Sequence, residues 1–274
     1  MGQRAATDND AHGFLHLPSL PQRFADGRAC FAVVEWVRAM NLLALDTSTE
    51  VMSVAVQRGG AGDAQVWQSS AVGGAQTSVS LISTIQALMA QAQLEFHQLT
   101  AIVFGRGPGS FTGLRSACSV AQGLAFATGA QVLPINTLLA LAEEARWQHS
   151  ATLSHWRVIA LLDARMDQLY AARFEYQSQG WQQIGGDELI WPQDLVCDAQ
   201  WDLAGNVFAA YGQRLGVSKA QRLDALPTAA ALLRLAPGLL AGGAGVSAEL
   251  ALPLYVRDKV AQTSLERTAL KGAT

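Results

Sequence analysis

The chain has 274 residues, of which half are hydrophobic and 15% are charged. This composition excludes disorder throughout, because enough apolar surface is available to offset the entropy of ordering the chain. A net charge of −3 argues against a broad cationic face for a nucleic-acid backbone. The three cysteines, Cys30, Cys118 and Cys197, are far apart and odd in number, which argues against a disulfide framework or a zinc knuckle and favours a reducing cytoplasm.

The first 39 residues differ from the rest of the chain. They show no sustained hydrophobic period apart from an apolar run from Cys30 to Val37, and a strand-like run begins just after Met40. We expect residues 1–39 to be a non-core extension and Met40 to be the natural start; a real helix packed on the domain is the alternative. No stretch approaches the roughly 18 apolar residues of a membrane span, and we find no targeting signal, so no membrane association is expected.

The first half of the remaining chain reads as a β-meander followed by a helix, a strand, a Gly-rich loop and a second helix. Continuous apolar runs predict the strands, and apolar residues at helical spacing predict the first helix. The predicted elements are Leu42–Leu45, Ser53–Gln57, a strand around Val66–Trp67, a helix over Thr77–Gln93, Ala101–Phe104 and a helix over Thr112–Thr128.

The second half starts again in a similar way, with strands at Val158–Leu162, at Leu169–Phe174 and around Trp181–Ile184, a turn at Gly205–Asn206, and helices near Ala209–Leu215 and Ala229–Leu235. Asp46 precedes Ser53 by the same seven residues that separate Asp163 from Tyr170. This weak internal repeat indicates two copies of one strand–Asp–turn–strand unit. We expect an N-terminal lobe over 40–145, a C-terminal lobe over 146–262 whose helix near 229–240 packs back on the first lobe, and a tail over 263–274.

The loop from Gly105 to Gly113 is the most informative segment, because glycines at a strand-to-helix junction allow close backbone approach to an anion. It is not a P-loop, since no Lys occurs before Lys219, and it is not the dinucleotide fingerprint, since Ser110 stands at the sixth position. Two interpretations stay open, a tight turn capped by Ser110 or an anion or nucleotide contact. The contact would be formed by Asp46, Thr47, Ser48, Gly107, Gly109 and Ser110.

Two aspartates end predicted strands, where ligand groups of α/β sheets commonly lie. For Asp46, coordination of magnesium or of a phosphate through water and a plain turn cap are equally supported. For Asp163 the turn cap is favoured, with Arg165 as an ion-pair partner.

No metal site or catalytic residue is expected from the remaining side chains. His12 and His16 form an H-x-x-x-H pair, but Gly13 and Pro18 surround them in the extension, and the other three histidines lack ligand spacing. Ser110 lacks the G-x-S-x-G elbow of a hydrolase nucleophile.

The helix after the Gly-rich loop is rich in small residues, among them Ser116, Ser119, Gly123 and Ala127. Small residues at four-residue spacing let two helix backbones approach closely. Close packing inside the subunit and contact with another subunit are both open.

The segments M-N-L-L-A-L-D-T-S-T (40–49), G-R-G-P-G-S-F-T-G-L-R (105–115), Q-G-L-A (122–125) and D-A-R-M-D (163–167) resemble the bacterial TsaB (YeaZ) family. The resemblance runs from Met40 to about Thr263. It implies a two-lobed α/β fold of the actin/Hsp70/sugar-kinase (ASKHA) type, each lobe with a ribonuclease-H-like mixed sheet.

The resemblance further implies a cytoplasmic, non-catalytic role in making N6-threonylcarbamoyladenosine (t6A) next to the anticodon of tRNAs that read codons starting with A. The implied partners are a TsaD-type transferase paralogue, a TsaE-type ATPase, a second copy when the paralogue is absent, and tRNA only through the complex. No cofactor is implied, apart from ATP or ADP at the interface with the paralogue. The interface would use the helix residues Thr112, Ser116, Ser119, Gly123 and Ala127, together with Ile82, Ile85 and Met89.

This chain differs from the transferase paralogue in one feature and from many family members in another. The paralogue carries an H-x-x-x-H metal site on the helix that corresponds to Thr77–Gln93, which here contains no histidine. Many family members carry a His at the start of that helix, where this chain reads Gln76-Thr77-Ser78. A nucleotide-hydrolysing protein of the same fold, with Asp46 and the loop at phosphate, is the alternative function.

Overall fold

The computed structural model describes residues 40–60, 62–72, 77–149, 151–178, 180–216 and 220–257. The expectations for residues 1–39, with His12 and His16, for Gln76 and for the tail over 263–274 lie outside these residues. Within the described part, the chain folds into two five-stranded mixed sheets with helices packed on their faces.

The first sheet has the order β3-β2-β1-β4-β5. Strands β1 to β3 form an antiparallel meander, and β4 and β5 run parallel to β1. Two helices, α1 (Thr77–Gln91) and α2 (Phe111–Thr128), follow β3 and β4. The strands are β1 (Leu42–Asp46), β2 (Val51–Arg58), β3 (Gln65–Val72), β4 (Ala101–Gly107) and β5 (Gln131–Asn136).

The second sheet repeats this plan with the order β10-β9-β6-β7-β8. Strands β6 to β8 are antiparallel, and β9 and β10 run parallel to β6. The prediction of two lobes with the same mixed sheet is therefore confirmed. The strands are β6 (Trp156–Asp163), β7 (Leu169–Gln177), β8 (Gly180–Ile190), β9 (Asp202–Gly205) and β10 (Arg222–Asp224).

The register corrects one detail of the predicted repeat. Asp46 pairs with Ser53, but Asp163 pairs with Leu169 rather than with Tyr170. The second turn is one residue shorter, because Arg165, Met166 and Asp167 all adopt left-handed φ angles of 61°, 55° and 60°.

The described residues form three further α-helices: α3 (Thr137–His149), α4 (Phe208–Tyr211), which packs within the second lobe, and α5 (Ala229–Ala241). Helix α3 contributes Leu138, Leu141 and Ala142 to the core of the second sheet. The expected boundary between residues 145 and 146 falls inside this helix. Helix α5 packs Leu232 and other residues on the first sheet.

A charged network joins α3 to α5. Glu143 and Glu144 are buried, and Arg234 of α5 donates to both, at 3.0 Å to Glu143 and 2.5 Å to Glu144. The largest influence on the pKa of Glu144 is burial, which raises it, but hydrogen bonds from Thr228, Arg234 and Gln148 and the Arg234 charge lower it overall. The network fixes α5 to the helix that precedes the second lobe.

Candidate functional site

A cleft of about 820 Å³ lies between the lobes, where β1 and β6 end. First-lobe loops and the start of α2 form one wall, and the β6–β7 turn and residues 254–257 form much of the other. Residues from both lobes that line it include Ser48, Glu50, Gly109, Ser110, Phe111, Asp163, Arg165, Asn206, Tyr255 and Arg257.

Asp46, one of the predicted contact residues, is completely buried. Its Oδ1 atom accepts hydrogen bonds from the Ser48 backbone N–H at 2.9 Å and the Ser48 hydroxyl at 2.6 Å. Its Oδ2 atom has no hydrogen-bond partner among the described residues. Burial raises the pKa of this carboxyl to about 6, against the lowering effect of the two Ser48 hydrogen bonds.

The glycines of the loop are places of close approach to the turn after β1. A Cβ atom at Gly105 would collide with the Asp46 carboxylate, and one at Gly109 or Gly113 would collide with the backbone of residues 47–48. Gly107 has φ +120°, and a Cβ there would meet the Leu254 carbonyl. These glycines therefore serve packing within the subunit.

Polar groups of the predicted anion contact are hydrogen-bonded within the subunit. The Thr47 hydroxyl donates to the Gly113 carbonyl at 2.7 Å, and the Ser110 N–H donates to the Ser48 carbonyl at 2.7 Å. The Gly107 N–H donates to the Thr137 hydroxyl at 3.0 Å, and Ser110 caps α2. The six predicted residues thus form one cluster; only Ser48, Gly109 and Ser110 of them line the cleft.

Asp163 caps its turn, as its sequence context predicts. Its Oδ1 atom accepts from the Arg165 N–H at 2.7 Å, and its Oδ2 atom pairs with the Arg165 guanidinium at 3.4 Å. Arg165 also pairs with Glu50, so one ion pair spans the mouth of the cleft. Sequence reasoning missed Tyr255 and Arg257, because no motif or hydrophobic period marks them.

The small-residue row of α2 faces outward. Thr112, Ser119, Gly123 and Ala127 are exposed, and Ser116 is partly exposed. A Cβ atom at Gly123 would meet no atom within 4 Å, and the neighbouring Phe126 is 87% exposed.

The predicted contribution of α1 to this surface needs correction. Ile82 is 42% exposed, but Ile85 and Met89 are 1% and 2% exposed and belong to the core of the first lobe. The apolar stripe of α1 packs on its own sheet, so Ile85 and Met89 are wrongly assigned to a partner surface.

Among the described residues, no group of three or more His, Cys, Asp or Glu side chains is placed to hold a metal ion. In the same part of the chain, no helix combines the length and apolarity that crossing a membrane requires.

The duplicated mixed sheet with a cleft between its two copies defines the two-lobed actin/Hsp70/sugar-kinase class. Two solved structures share this fold: YeaZ from Pseudomonas aeruginosa, and a P. aeruginosa protein described as similar to peptidase YeaZ. Both are 36% identical, with TM-scores of 0.70 and 0.71, and the matches cover 79% and 80% of this chain and 99% and 100% of those chains.

Sequence comparison agrees. A model of the family described as "TsaD: tRNA N6-adenosine threonylcarbamoyltransferase" matches residues 72–264. The tRNA threonylcarbamoyladenosine biosynthesis protein TsaB of Haemophilus influenzae is 33% identical over 232 residues, which are 81% of this chain and 95% of that protein. Its Escherichia coli counterpart is 29% identical over 82% of this chain and 98% of that protein. The chain belongs to the TsaB (YeaZ) family.

Proposed function

We propose that this protein is a non-catalytic subunit of t6A biosynthesis that pairs with a TsaD-type transferase and holds it in its active form. It acts in the cytoplasm and meets tRNA only through the complex. The names of the relatives support the pathway, and the surface of α2 supports the pairing.

One observation carries the proposal: α2 presents a row of small residues to the outside, with open space around Gly123 and an almost fully exposed Phe126 beside it. An exposed apolar side chain next to residues that allow close backbone approach is typical of a helix that packs on another helix. In the absence of the paralogue, the same face would serve a second copy of this chain.

The arrangement of the polar residues supports a subunit without chemistry of its own. The Asp46 side chain is completely buried in contact with Ser48 and Gly105. The N–H groups of Gly107 and Ser110 donate hydrogen bonds within the subunit. Helix α1 carries no histidine where the paralogue has its metal site. A TsaE-type ATPase, and ATP or ADP at the subunit interface, belong to the assembled complex in this proposal.

The pairing is tested with Gly123→Leu and Ala127→Arg, each measured by thermal melting and by pull-down of the transferase. Overpacking of a tight contact by about 1–3 kcal/mol corresponds to a roughly ten- to hundredfold loss of affinity. Gly186→Leu is the matched control, because a Cβ at Gly186 of β8 also meets no atom within 4 Å. Loss of pairing with an intact melt in the α2 variants alone supports the proposal, and unchanged pairing contradicts it.

The lack of catalysis is tested on the isolated protein. We expect no useful ATP hydrolysis and no threonylcarbamoyl transfer, and Asp46→Asn should change neither rate. Robust ATP hydrolysis that Asp46→Asn abolishes would overturn the non-catalytic assignment and favour a nucleotide-hydrolysing protein.

A further inference from the structure

Residues 251–257, named here the strap, run along α2 toward the cleft. The Ala251 carbonyl accepts hydrogen bonds from Gln122 Nε2 at 2.9 Å and Cys118 Sγ at 3.1 Å. The Leu254 N–H donates to the Arg106 carbonyl at 2.7 Å. The strap is thus attached to the first lobe at Ala251 and Leu254.

Near the start of α2, the strap holds an exposed arginine. The Tyr255 ring stacks on the Phe111 ring, with 4.4 Å between the ring centroids. The guanidinium carbon of Arg115 lies over the same Phe111 ring, 4.0 Å from its centroid. Arg115 Nε donates to the Tyr255 hydroxyl at 3.2 Å. Because Arg115 is exposed on α2, a partner that covers this face would contact a residue bound directly to the strap.

The far end of the strap reaches the second lobe. Arg257 Nη2 donates to the carbonyls of Ala164 and Arg165, at 3.0 and 3.2 Å, and to Gln168 Oε1 at 2.9 Å. Ala164 and Gln168 flank the β6–β7 turn over Arg165, Met166 and Asp167, and Arg165 is its first residue. One guanidinium therefore binds both sides of this turn.

The turn needs such support. Three consecutive non-glycine residues with φ near +60° are unfavourable, because the left-handed conformation brings each Cβ close to backbone oxygen. Such conformations persist only where the surroundings fix them. Arg165 of this turn makes the ion pair to Glu50 across the cleft, so the turn conformation also sets a contact between the lobes.

We propose that the strap couples the outer face of α2 to the turn over residues 165–167, so that partner binding on α2 and the Arg165–Glu50 contact of this turn across the cleft depend on each other. The inference rests on the proposed function for the identity of the partner. Coupling of two sites is reciprocal. A partner that immobilises Arg115 and Tyr255 stabilises the turn conformation, and a change that loosens the turn lowers the affinity for the partner.

The coupling is measured by amide hydrogen exchange of residues 164–168 in the free full-length protein. We expect Arg257→Gln to speed exchange about tenfold, and Arg115→Ala to speed it about threefold through the strap, which Arg115 binds at Tyr255. Arg58→Ala is the matched control, since Arg58 also lies over an aromatic ring of the first lobe, at 5.4 Å from Trp67. Exchange at 164–168 that Arg115→Ala leaves at the wild-type rate, or that Arg58→Ala raises equally, overturns the proposal.

A second arm adds the purified transferase paralogue. Saturating partner should slow exchange at 164–168 in the wild-type protein and not in Arg257→Gln, and Arg257→Gln should bind the partner severalfold more weakly. Pairing without any change at 164–168 would leave the proposed function standing and refute the coupling. A wild-type protein that does not pair would refute the proposed function, while the Arg115→Ala result in the free protein still decides the coupling.

Discussion

The Oδ2 atom of Asp46 packs against the Cα atom of Gly105, at the place where any other residue would carry its Cβ atom. The buried carboxylate at the end of β1 and Gly105, near the end of β4, therefore depend on each other. Because β1 and β4 are parallel neighbours, this contact fixes the end of one strand against the end of the next. The glycine requirement here follows from packing.

Gly105→Ala should lower the free energy of unfolding by about 1–3 kcal/mol, because its Cβ forces the Asp46 side chain or β4 to shift. Gly123→Ala is the control, since its Cβ enters open space on a helix and should raise stability by about 0.5–1 kcal/mol. Urea denaturation of both variants measures the difference. Equal effects of the two substitutions would show that the contact between Gly105 and Asp46 does not contribute to the free energy of unfolding.

Asp46→Asn should remove a pH dependence of stability. The pKa of Asp46 is about 6 in the folded protein against an ordinary 3.8, so the folded state binds the proton more tightly. The associated stability is fully present below pH 3.8 and is lost as the pH rises through 6, a loss of roughly 3 kcal/mol.

The free energy of unfolding of wild type minus that of Asp46→Asn should therefore fall between pH 4 and pH 7. Taking the difference cancels groups that both proteins share, such as Asp187, whose pKa burial also raises. A difference that stays constant over this range, or that rises, contradicts the assignment.

Arg234→Ala should destabilise the protein by about 2–3 kcal/mol, because it leaves the buried carboxylates of Glu143 and Glu144 without their shared cation. The effect should be largest above the pKa of Glu144, which its hydrogen bonds hold below the usual value despite burial. Arg173→Ala, which removes a partly exposed pair to Glu188 and a hydrogen bond to the Val196 carbonyl, should change stability by less than about 1 kcal/mol. Similar losses in both variants would argue against a special role for the α3–α5 network.

Removal of residues 1–39 should leave the melting temperature and partner binding unchanged. Met40 is buried on the first sheet, so the truncated chain keeps the first core residue among those that the structure describes. A fall of more than a few degrees, which corresponds to roughly 1–2 kcal/mol, would show that the run from Phe31 to Val37 is part of the core.

Several elements could be predicted because all of their residues are buried, or because their buried and exposed residues follow a regular period. The apolar run of β1 is buried on both faces, and its pattern is unambiguous. Helix α3 escaped prediction because Glu143 and Glu144 are buried together with its apolar residues, which removes the amphipathic pattern. Strand β5 contains Pro134, which an outer strand tolerates but which weakens its strand signal.

The candidate sites show the same limit. Sequence periodicity locates the apolar stripe of α1 but not what covers it. The prediction therefore places Ile85 and Met89 at a partner surface, although both pack in the core of the first lobe. The loop motif identifies Gly105 to Gly113 as constrained, but a glycine that faces Asp46 and one that faces a phosphate look alike in sequence. Arg257 acquires its role only when the chain returns to the β6–β7 turn.

The most direct test of the central claim is the t6A content of tRNA from a strain depleted of this protein and supplied with one variant at a time. Wild type and Gly186→Leu should restore t6A, whereas Gly123→Leu, at equal expression and with an unchanged melt, should not. Full restoration of t6A by Gly123→Leu would contradict the claim that the outer face of α2 holds the transferase.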